Sequence, residues 1–152
     1  MPLAPEDEPL TLSTLTFADG DTIPDMYTCK GYDISPSLVW SAPSGGALVV
    51  SDLDAPNGNY IHWIFTGLPP GSGKAVDGEI PYGVTEVPNS VGKALYSGPC
   101  PPAGSGVHHY RFTLYQLPPG FALPAGLAGS QAAEAITKAA TAQAGFTGTF
   151  AG

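Results

Sequence analysis

Apolar and polar positions alternate most regularly along 107–117, VHHYRFTLYQL, which predicts the longest strand of the chain. Successive side chains of a strand face opposite ways. His108, Tyr110, Phe112, Leu114 and Gln116 therefore share the more apolar face, and His109, Arg111, Thr113 and Tyr115 take the other. The two adjacent histidines cannot act as one clamp. Alternation also predicts a strand at 10–17, LTLSTLTF, a short one at 38–40 and another at 60–66. The apolar run 47–52 predicts a buried strand that ends in Asp52. On it Leu48, Val50 and Asp52 share a face, so a carboxylate continues an apolar surface. Along 60–66, Tyr60, His62 and Ile64 share a face opposite Ile61, Trp63 and Phe65. The segment 146–150, FTGTF, adds a candidate last strand.

The period changes once. Ala132, Ala133, Ile136, Ala139 and Ala140 form a stripe at helical spacing, predicting a helix over 130–144 with Ser130 as N-cap and Gly145 as its stop. The stretch 67–106 reads mostly as loop, punctuated by Gly and Pro; a loop that long tends to be functional. Many short strands and one late helix predict a mainly β protein: a sandwich of antiparallel sheets with one C-terminal helix.

Composition narrows the class. A length of 152 residues suits one domain, here 10–152, preceded by a solvated acidic and Pro-rich tail at 1–9, MPLAPEDEP. With 43% hydrophobic and 12% charged residues the chain is globular rather than disordered. The formal charge is −8, and the five cations are scattered. Nucleic acid and anionic membrane surfaces would be repelled, so any anion must be gripped locally. No apolar run approaches the roughly 20 residues of a membrane span. No basic region followed by an apolar core marks a signal peptide, which leads to a cytoplasmic expectation unless the chain is a processed form. Cys29 and Cys100 are either a single disulfide or two free thiols.

Three strands each bring polar chemistry to the edge of an apolar face: Asp52, His62, and His108 with Tyr110. His108 and Tyr110 lie about 6.7 Å apart along their strand. If the ends converge, they line a small polar pocket over an apolar floor. A buried carboxylate needs partners, and imidazole N–H groups are natural ones. The plainer reading is that Asp52 only caps the turn DLDAPNG. Two histidines and a carboxylate also compose a known type of metal site. A hydrolase is not expected: there is no Gly-x-Ser-x-Gly elbow, and Ser72 in GSGK and Ser105 in GSG have no base beside them in sequence. PPGSGK lacks the spacing of a phosphate-cradling loop, and no cofactor motif is visible.

Four ordered segments carry a resemblance. SDLDAPNGNYIHW resembles the D-P-D-A-P…H-W signature of phosphatidylethanolamine-binding proteins, with Leu53 at the usual proline. GPCPPAGSGVHHYRFTLYQL resembles their second signature, G-x-x-P-P…H-R-Y-x-F, with His109 at the usual arginine. FADGDTIPDMYTCKGYDISPSLVW and NSVGKALYSGPCPP are similar to the opening segment and to the loop before the second signature. The short linkers look most like the bacterial and archaeal branch. The resemblance implies a Greek-key β-sandwich with a small anion pocket that takes phosphate, phosphorylated head groups or acetate-like ions. By motif position the pocket would use Asp52, His62, His108 and Tyr110, with Gly98, Pro101 and Pro102 as one wall. His62, His108 and Tyr110 would donate to the anion while Asp52 orients the imidazoles. A cis peptide at Ala55–Pro56 is implied too, with Asp54 serving that turn. The family further implies a protease or kinase-pathway partner and, in microbes, homodimers.

Overall fold

The computed structural model describes residues 9–56 and 60–152. The expected tail at 1–8 lies outside the described residues. In chain order the elements are β1 (Thr11–Ser13), β2 (Leu38–Ala42), β3 (Gly46–Asp52), β4 (Tyr60–Leu68), β5 (Gly71–Ala75), β6 (Thr85–Glu86), β7 (Val107–Gln116), α1 (Gly129–Ala139) and β8 (Ala142–Ala151). Two antiparallel sheets form, ordered β1-β2-β5 and β6-β4-β3-β7-β8.

The five-stranded sheet is buried on both faces, which is why its central strand reads as continuously apolar. Leu48 and Val50 of β3 face the smaller sheet, together with Phe65, Phe112, Leu114 and Phe146. Ala47 and Val49 face the other way, against Ala132, Ala133 and Ile136 of α1. Phe112 and Phe146 stack at 4.7 Å between ring centres, and Phe17 meets Phe146 edge-on at 5.7 Å. Each such pair adds roughly 0.5–1.5 kcal/mol beyond its buried area.

The helix is shorter than its alanines suggest. It runs Gly129–Ala139, begins at Ala128 without a side-chain cap, and stops where Ala140 turns extended. Ser130 is therefore not the N-cap. The residues beyond are claimed by β8, which pairs with β7 from Val107↔Ala151 to Gln116↔Ala142. A ten-residue ladder outweighs the helix preference of three alanines. Gly145, expected as the helix stop, is a strand residue opposite Thr113; a side chain there would run into the Phe112 carbonyl.

Two strands lie inside the expected loop. β5, GSGKA, pairs with β2 although its composition is poor for a strand. Gly73 sits under the ring of Trp40, where a side chain would collide, so the glycine serves packing rather than flexibility. The first strand is short because the chain turns at Thr14, whose hydroxyl bonds Ser37. Ahead of β2, residues 20–23 cover the outer edge of β8: Gly20 and Ile23 donate to Thr147 and Thr149, each at 2.7 Å. That removes an exposed strand edge.

Candidate functional site

At one end of the sandwich the ends of β3, β4 and β7 open into a cavity of about 390 Å³. Asp52, His62, Gly98, Pro101, His108 and Tyr110 all line it. The side chains of Asp52, His62, His108 and Tyr110 are at least nine-tenths buried.

Asp52 is placed opposite Tyr110 by the β3–β7 register, which makes His108 its diagonal neighbour. One carboxylate oxygen, Oδ2, accepts from His108 Nδ1 at 2.7 Å. The other, Oδ1, accepts the Asp54 N–H at 2.8 Å. Asp52 thus both closes the turn and orients an imidazole. The Ala55–Pro56 bond, for which a cis form is implied, is trans. Asp54 fastens the turn instead, accepting from the His109 backbone and from His109 Nδ1 at 2.6 and 2.8 Å. Those bonds lower the carboxyl pKa of Asp54. His109 faces solvent, as alternation requires.

His62 reaches the cavity by a different route from the one alternation predicts. The β3–β4 register steps from Val50↔Trp63 to Ser51↔Ile61 and leaves His62 as the extra residue of a bulge. The pleat is thereby broken. Ile61 and Ile64 both pack on the helix side, while Trp63 and Phe65 face the sandwich interior, and His62 turns inward with them into the cavity. Without the bulge His62 would sit under α1 with Ile64.

Asp52 does not orient His62. Its Nδ1 donates to the Ser97 carbonyl at 2.6 Å, so Nε2 is the nitrogen turned toward the cavity. The Tyr110 ring meets it edge-on at 5.2 Å and Tyr60 flanks it at 5.0 Å. Asn89, buried and absent from the sequence reading, holds this arrangement. Its Nδ2 reaches the His62 and Leu95 carbonyls and Ser97 Oγ, and its Oδ1 accepts from Val91 and Lys93. Only its place in a loop and its polarity signal it in the sequence.

Burial is the main influence on His62 and pushes its pKa below the usual 6.5; the Ser97 carbonyl and the Asp52 charge oppose it. Above pH 6.5 the imidazole is neutral folded and unfolded. As pH falls below 6.5 the unfolded chain binds the proton first, so stability drops through the window beneath that value. Thermal unfolding of wild type and His62→Gln across pH 5–8 should show the acid-side loss smaller in the variant. Burial, followed by the charges of Asp52 and Asp54, raises the Tyr110 pKa far above its ordinary value, so the phenol keeps its proton. No described residue accepts from or donates to its Oη.

The opposite wall is the segment 97–102. Gly98 donates its N–H to Asp33 Oδ1 at 2.7 Å, and a side chain at 98 would strike the Tyr27 carbonyl and that same carboxylate. Cys29 and Cys100 form a disulfide beside it, with Cα atoms 5.4 Å apart. The sequence left this pairing open. Among the described residues lining the cavity the carboxylates are Asp33 and Asp52, and there is no Lys or Arg.

A family model described as Phosphatidylethanolamine-binding protein matches residues 13–151. The chain belongs to the phosphatidylethanolamine-binding protein family. It is 58% identical over 154 residues to a UPF0098 protein of Mycobacterium tuberculosis, covering 100% of this chain and 75% of that protein. It is 55% identical over 152 residues to a protein of the same species named as a candidate lipoprotein, LppC, covering 98% of this chain and 76% of that one. The crystal structure of Escherichia coli YbcL, described as a member of the mammalian PEBP family, superposes with a TM-score of 0.81 at 24% identity; 93% of this chain and 97% of that one are covered. That likeness shows the fold. No helix among the described residues is long and apolar enough to cross a membrane.

Proposed function

We propose that this family member binds a small oxyanion, either free or as the phosphate of a head group, in the cavity between β3, β4 and β7. One observation carries the reading. Tyr110 Oη and His62 Nε2, on side chains at least nine-tenths buried, open onto the largely apolar cavity without a described protein partner, so both are free to bond a guest. The anion is the partner they lack. Tyr110 donates at any physiological pH. His62 donates from Nε2 only when protonated, because its Nδ1–H is already given to Ser97. A bound anion stabilises that protonated form. Affinity is therefore highest in acid and falls as pH rises. Among the described residues lining the cavity there is no Lys or Arg, so affinity follows the protonation of His62.

About 390 Å³ is at the small end for ligand sites, fitting a compact group rather than a whole lipid. The metal reading is weaker. Both oxygens of Asp52 are engaged by His108 and Asp54, and no described cluster has metal-ligand geometry. The disulfide supports an oxidising compartment rather than the cytoplasm.

Calorimetric titration with sulfate, whose charge is constant over the range, and then with phosphate and phosphoethanolamine, tests the reading. Tyr110→Phe should weaken binding about 10- to 100-fold, the worth of one hydrogen bond to a charged group. Equal affinity in the variant would remove the phenol from the site.

A further inference from the structure

Two serines of this chain stand between glycines, Ser72 and Ser105. They differ in surroundings. Ser72 lies on β5, the edge strand of the smaller sheet, opposite Ser41 and away from any imidazole. Ser105 Oγ lies 3.1 Å from His108 Nε2, and His108 Nδ1 lies 2.7 Å from Asp52 Oδ2. Asp52 and His108 are buried, 7% and 6% exposed, while Ser105 is exposed. The three groups stand in the order and at the spacing by which a serine is made nucleophilic, on a fold unrelated to the usual hydrolases. The base is three residues from the serine in sequence, but only the turn between them brings Oγ back onto the ring.

That turn is built to present the hydroxyl. Gly104 and Gly106 take φ of +78° and +90°, left-handed values that bend the chain sharply on both sides of Ser105. The Ser105 N–H is fixed to the Pro102 carbonyl at 3.0 Å. The N–H of Gly106, the residue after the serine, is given to no described acceptor, and that is where serine hydrolases place an oxyanion donor.

We propose that Ser105 is a nucleophile activated by His108, with Asp52 as the positioning residue that holds the Nδ1–H tautomer, and that it accepts the acyl group of small carboxylic esters at the rim of the cavity. His108 Nε2 takes the Ser105 proton as Oγ forms a bond to the ester carbonyl carbon. The carbon–oxygen bond to the alcohol then breaks and His108 returns the proton to the departing alkoxide. Water, deprotonated by the same nitrogen, releases the acid and restores Ser105. No oxidant, metal or cofactor is required for the balance. This goes beyond anion binding, which rests on Tyr110 Oη and His62 Nε2 and does not use His108 Nε2.

The test uses the full chain and a fluorophosphonate probe at pH 8, with peptide mass spectrometry to locate the adduct and p-nitrophenyl acetate as ester. Ser105 should be labelled and Ser72 not. Ser105→Ala should abolish labelling and cut ester hydrolysis at least about 100-fold, whereas Ser72→Ala should behave as wild type. Because Ser105 is exposed, its replacement leaves the fold intact. His108→Gln should slow labelling by about 10²- to 10⁴-fold. Asp52→Asn keeps the turn but puts the His108 proton on Nε2, so it should slow labelling by up to about 10⁴-fold while the fold stays intact, which a purely structural role would not do. Absence of a Ser105 adduct on the folded wild type, or hydrolysis by Ser105→Ala at the wild-type rate, overturns the proposal. Neither result bears on sulfate titration, so failure here and failure of the binding reading are told apart.

Discussion

Replacing Cys29 and Cys100 together by alanine lowers stability by about 4 kcal/mol, the chain-entropy value for a loop of 71 residues. Urea unfolding of the oxidised protein and the double variant measures it, and the slope should be steeper in the variant because its unfolded chain is no longer held compact by the bridge. The loss should reach the cavity as well. Cys100 anchors the segment whose Ser97 carbonyl orients His62 and whose Gly98 rests on Asp33. Anion affinity should drop with stability, and dithiothreitol should reproduce both effects on the wild type. A difference below about 1 kcal/mol would mean that the wall holds its shape without the bridge.

Asp52→Ala costs about 3 kcal/mol. It strips the acceptor from the buried His108 Nδ1–H, which costs roughly 1–3 kcal/mol when left bare, and from the N–H of the exposed Asp54, which adds less. Asp52→Asn separates the two functions. Its amide oxygen still serves Asp54, so most of the stability returns. The amide nitrogen is a donor, however, and forces the His108 proton from Nδ1 to Nε2. Denaturation of the two variants beside wild type checks the order: alanine well below asparagine, asparagine near wild type. If both lose equally, the turn is not what Asp52 holds.

The sandwich was legible because it rests on alternation. Ten residues of β7 carry a clean period, and the apolar run of β3 signals burial on both faces. The faces of β3 and β7 follow directly, so Asp52, His108 and Tyr110 could be placed together from the sequence. His62 could not. A single bulge residue inverts the pleat for everything after it, and the sequence YIHWIF has no glycine or proline to announce one. The helix end failed for the opposite reason: local preference favours continuing through Ala144, and a long-range ladder decides otherwise.

What escaped the sequence altogether is the support behind the pocket. Asn89 binds backbone carbonyls and N–H groups of its own loop, Asp33 takes one N–H, and the orienting acceptor of His62 is a main-chain oxygen. Backbone groups have no residue identity to read. The disulfide and the Ser105–His108 contact depend on distances across loops, which spacing alone does not fix. The resemblance helped where motif positions carried over and misled at Ala55–Pro56, where side-chain bonds from Asp52 and Asp54 shape the turn.

A crystal grown near pH 5.5 and soaked in phosphate addresses the central claim most directly. The account predicts one phosphate in the cavity with its oxygens at 2.6–3.2 Å from both Tyr110 Oη and His62 Nε2, hydrogen-bond distances for a charged acceptor. An empty cavity at saturating phosphate, or phosphate held elsewhere while those two atoms face only water, would contradict it.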